Sequence, residues 1–119
     1  MIKKTVKIPI YFGNLIMIYS EDIDLLNKKY NQNIVKGYDA VVFKTTAKCG
    51  FDEYVVVFLN NKITGAVIAH ECVHLVNHIY IYRMMSLDQY NDEPQAYLTG
   101  WFFDQCEKFV SVIKNIKLS

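Results

Sequence analysis

From Ile63 to Met84 the chain carries two charged residues, Glu71 and Arg83, among Ile, Val, Ala, Leu, Tyr and Met. A stretch of this length without proline reads as one helix, capped by Thr64 and running to about Met84. It is apolar almost all round, and such a helix is expected to be central and buried. The polar residues that interrupt it are the ones to explain. Chief among them are His70, Glu71, His74 and His78, which include every histidine of the chain. Burying His, Glu and His among apolar neighbours without a partner would be unfavourable, and a bound metal offsets that.

His70-Glu71-Cys72-Val73-His74 is an H-E-x-x-H motif. Two histidines four apart lie on one helix face, one turn and roughly 6 Å of rise from each other. That spacing lets both imidazoles converge on one zinc ion, with Glu71 beside them as a general base for water. His78 continues the stripe but lies roughly another 6 Å along the axis. It reads first as a wall or surface residue, and alternatively as one that lines the cleft or stabilises an oxyanion. Cys72 points away from the ligand face and reads as a small buried hydrophobe.

A catalytic zinc takes three protein ligands and leaves a position for water. The sequence offers Glu93, in Asn91-Asp92-Glu93-Pro94-Gln95-Ala96-Tyr97, with eighteen residues between it and His74. With these residues the chain resembles the gluzincin group of zincin metallopeptidases. Glu93-x-x-Ala96 is also similar to the E-x-x-A segment of small bacterial and phage-borne ImmA/IrrE-type peptidases. The resemblance covers residues 40 to 105. It implies His70, His74 and Glu93 as zinc ligands, Glu71 as the base, and hydrolysis of a peptide bond in a protein or peptide substrate. It also implies that residues 53 to 59 form the sheet edge against which an extended substrate lies. Tyr97 stands where gluzincins often place an Asp or Asn. Among the oxyanion candidates Tyr97, His78, Tyr80 and Tyr90, Tyr97 is favoured, one turn beyond Glu93.

Two other readings stay open. One is a binding protein on a zincin scaffold without catalysis, such as a phage or mobile-element protein that sequesters a host factor. The other is a structural zinc closed by a fourth protein ligand, for which Cys49 is the candidate.

At 119 residues the chain suits one domain. With little material for a second cleft wall, either the site is open or a partner protein completes it. Net charge is +1, with one Arg among thirteen cations, which does not suggest nucleic acid. Three cysteines without paired spacing point to a reducing, cytoplasmic setting. The apolar runs fall short of a membrane span, so no membrane partner is expected.

Residues 5 to 12 and 15 to 19 read as strands joined at Gly13-Asn14. Ser20 reads as the N-cap of a helix to about Tyr30, burying Ile23, Leu26 and Tyr30. Residues 40 to 46 and 53 to 59 are β-branched and aromatic, and read as a hairpin turning near Cys49-Gly50-Phe51. After the motif helix a last helix begins at Asp92 or Glu93 and continues to about Ile116. The expected class is α+β, a minimal zincin-like domain: helices on one face of a small, mostly antiparallel sheet.

Overall fold

A computed structural model describes residues 1–118. Seven elements follow one another: β1 (Ile2–Lys7), β2 (Asn14–Tyr19), α1 (Ile23–Tyr30), β3 (Ala40–Thr46), β4 (Asp52–Phe58), α2 (Gly65–Tyr82) and α3 (Glu93–Leu118). The class is α+β, as expected. The sheet is mixed rather than mostly antiparallel. Its order is β1-β2-β4-β3, with β1·β2 and β3·β4 antiparallel and β2·β4 parallel. The chain leaves β2 through α1, starts again at the far edge with β3, and turns back so that β4 slots in beside β2. That detour makes β2 and β4 run the same way, in register from Asn14↔Glu53 to Tyr19↔Phe58.

The helices lie on both faces of the sheet, not on one. Leu15, Met17, Tyr54, Val56 and Phe58 share a core with α2 and α3. Ile16, Ile18, Val55 and Val57 pack on the other face with Leu26 of α1, flanked by Ile23 and Tyr30. Central strands covered on both sides must be apolar at every position, which is why Leu15–Tyr19 and Tyr54–Phe58 run without a polar break.

β1 ends at Lys7, short of residue 12. Pro9 lacks the N–H that a strand ladder needs, and Ile10, Phe12 and Gly13 take left-handed backbone (φ 69°, 58° and 96°). Gly13 is required there. A Cβ would come within 2.9 Å of the Tyr54 ring and 3.0 Å of the Asp52 carbonyl.

The α1 cap is Asp22, whose carboxylate accepts the Leu25 N–H, while the Ser20 hydroxyl accepts from Asp22 N–H. Thr64 caps α2 as expected, through the Val67 N–H. α2 is not buried all round: Ile68, Cys72, Leu75 and Ile79 face the core, while Val73 and Ile81 face solvent. α3 lies along the Cys72 flank of α2, where the Cys72 and Cys106 thiols meet, both fully buried. No helix of the described residues is long and apolar enough to cross a membrane.

Candidate metal centre

α2 lies over β4 and β3, so one of its flanks faces the open β3 edge of the sheet. His70 and His74 stand on that flank, exposed, with their Nε2 atoms 3.2 Å apart and ring centroids 4.9 Å apart. Two nitrogens bound at roughly 2.0–2.1 Å to one tetrahedral ion lie about 3.3 Å from each other. The observed separation therefore fits a shared divalent cation. It equally suits an N–H···N bond between neutral rings, which a cation would replace.

Glu71 lies beside the pair. Donor atoms of His70, Glu71 and His74 all fall within 4.8 Å of one another. The Glu71 side chain is 4 % exposed, and its Oε2 has no hydrogen-bond partner. Burial raises the pKa of this carboxyl, and the nearby His70 pulls it back down. An unpartnered oxygen in such a place fits a proton, a water or a cation, and is poorly served by an empty apolar wall.

His78 stands one turn further on, half-buried, with its Nδ1 also unpartnered. Burial, reinforced by His74, depresses the pKa of its imidazole and so favours the neutral ring. Its ring stacks on Tyr82, over which the Lys44 ammonium sits 4.4 Å from the ring centroid. His70, Glu71, His74 and His78 form one wall of a cleft of about 550 Å³, with residues 37–42, from the lead-in to β3 and its first half, opposite.

The residues expected on α3 are elsewhere. Cys72 lies roughly 160–200° around α2 from His70 and His74. α3 packs against that flank, where Cys106 meets Cys72. Glu93, exposed at the first position of α3, is outside the donor group and outside the cleft lining. Tyr97 and Tyr90 are exposed and do not line the cleft, and Tyr80 is a core residue. Of the four oxyanion candidates, His78 alone faces the cleft. Cys49, exposed in the β3–β4 turn, is also outside the donor group.

The strand expected to offer a substrate edge has none. β4 is paired on both sides and has no free edge, whereas β3 is paired only with β4. Tyr38, Asp39 and Val41 were missed as cleft residues. The signal available was topological: β3 flanks the cleft because β4 is inserted between it and β2. The Asp39 carboxylate accepts a hydrogen bond from the Asn60 amide (2.8 Å), which fixes it at the mouth of β3.

Comparison with protein-family models, with curated proteins and with solved structures finds no match to this chain.

Proposed function

We propose that this chain is a metal-dependent hydrolase of peptide bonds, with zinc held by His70 and His74 and with Glu71 as general base. The observation that carries the reading is the 3.2 Å approach of two imidazole nitrogens beside a buried, unpartnered carboxylate oxygen. A zinc ion at this position would supply Lewis acidity toward a water and a scissile carbonyl. Glu71 takes the proton of the attacking water and passes it to the leaving amine; its burial keeps its basicity above that of a free carboxylate. His78, on the same wall, is the side chain best placed to donate to a developing oxyanion.

An extended peptide fits the open edge of β3, adding a strand through backbone hydrogen bonds and laying its scissile bond along the histidine wall. The zincin resemblance names Glu93 as third ligand; the geometry supports His70, Glu71 and His74 and gives Glu93 no such support.

The test is Glu71→Gln. The variant is expected to keep its zinc and to lose peptide cleavage by at least about 100-fold, as removal of a general base does. Undiminished cleavage by Glu71→Gln overturns the reading.

That Glu93 is outside the donor group and Tyr97 outside the cleft lining favours a second reading, a module that grips a partner's extended segment at β3 without cutting it. Capture of an intact partner, unchanged by chelator and by Glu71→Gln, would select it.

A further inference from the structure

The end of the molecule where β1 passes into β2 holds bulky apolar side chains in water on strained backbone. Ile10 sits at the centre of a three-residue turn, closed by the Tyr11 N–H donating to the Pro9 carbonyl (2.7 Å). A turn of this hand is strained, and positive φ is least tolerated by a β-branched residue. Phe12 repeats the left-handed conformation, and so does Met84 just past α2 (φ 56°). Ile10, Phe12 and Met84 are 76 %, 69 % and 94 % exposed.

Arg83 fixes this arrangement. Its guanidinium donates to the carbonyls of Tyr11 (2.6 Å) and Phe12 (3.2 Å) and is anchored on Asp52 at 2.8 Å. Strand register brings the 47–51 turn, with Phe51 partly exposed, to the same end. Backbone strain that displays apolar groups instead of hiding them marks a surface with a use.

The charges at this end point to the occupant. Lys7 and Lys48 are exposed and form no ion pair among the described residues. Lys44 and Arg83 share a single acid, Asp52. Glu53, which also accepts the Thr45 hydroxyl, keeps its charge, so Lys7, Lys44, Lys48 and Arg83 are set against two carboxylates, Asp52 and Glu53. Apolar tips projecting singly from separate turns, flanked by unpaired lysines, suit the boundary between lipid chains and anionic headgroups. We propose that this end docks on the surface of an anionic bilayer, with Ile10, Phe12 and Met84 in the acyl boundary and Lys7 and Lys48 at the headgroups. The contact is peripheral and independent of the metal centre.

The experiment is co-sedimentation of the full chain with phosphatidylcholine vesicles, with and without phosphatidylglycerol. Binding is expected to the mixed vesicles, weakened by salt and by at least about tenfold in Lys7→Glu/Lys48→Glu. Ile10→Asn/Phe12→Asn is the decisive variant. Asn tolerates left-handed backbone, so this protein should melt no lower than the parent while losing vesicle binding. The proposal is overturned if the parent ignores the mixed vesicles or binds pure phosphatidylcholine equally well. It is also overturned if the double Asn variant folds and binds undiminished, or if the apolar end serves only self-association that the double Asn variant abolishes.

Discussion

Glu71 keeps a carboxylate oxygen without a partner under a nearly complete cover of protein. Its folded pKa is raised, so folding favours the protonated form. The stability this lends is full below the ordinary carboxylate pKa and disappears as pH rises through the raised folded value. Metal-free Glu71→Gln, which mimics the protonated side chain, should therefore be more stable than the parent at neutral pH by about 1 kcal/mol. The advantage should close in acid. Melting curves in chelator across pH check this, and a gap that is constant with pH contradicts it. Glu93→Ala should leave zinc affinity within about twofold, since loss of even an outer partner of a ligand costs ten-fold or more; a larger loss measured by titration would return Glu93 to the ligand set. The histidine pair was legible in the sequence because i, i+4 spacing fixes a shared helix face. The positions of Glu93 and Tyr97 were not. They depend on how α3 packs along α2 and the sheet, through Leu98, Phe102, Cys106 and Phe109, which no local pattern specifies.

The hairpin of β3 and β4 was readable from its two β-branched runs, as was the Thr64 cap. Misread were the neighbours of β4 and the number of faces covered. The unbroken apolar run Tyr54–Phe58 was the available clue, because a strand with one wet face alternates. Amide exchange tests the sheet directly. The interior position of β4 predicts that the amides of Val55, Val56 and Val57 are among the slowest to exchange, and that β3 amides facing its free edge exchange much faster. Equal protection of β3 and β4 would contradict this sheet order. β1 was overextended because Ile8 and Ile10 look like strand residues. Pro9 and the tight approach of Gly13 to Tyr54 turn the chain earlier.

Asp52 ties the ends of several elements together. It bridges Lys44 of β3 at 2.9 Å and Arg83 after α2 at 2.8 Å, and Arg83 in turn grips the 8–13 loop. The hydrogen bond from Lys44, aided by Arg83, lowers its pKa against the opposing effect of burial. Stability from this group is present above the ordinary carboxylate pKa and is lost as pH falls through the lowered value. Asp52→Asn should thus cost about 1 kcal/mol at neutral pH, as a partly exposed ion pair does. The deficit should vanish in strong acid, a trend that thermal denaturation against pH will show or refute. No sequence pattern marked this network: Lys44 and Asp52 meet across the β3–β4 hairpin, while Arg83 reaches Asp52 from the end of α2, far along the chain.

Zinc titration of the metal-free chain, followed calorimetrically beside His74→Asn, measures the grip of the two imidazoles. One ion per chain is expected, with affinity falling by more than about 100-fold in the variant, since removing a ligand exceeds the effect of removing its support. Absence of zinc binding by the parent, or binding that His74→Asn leaves unchanged, would contradict a cation shared by His70 and His74.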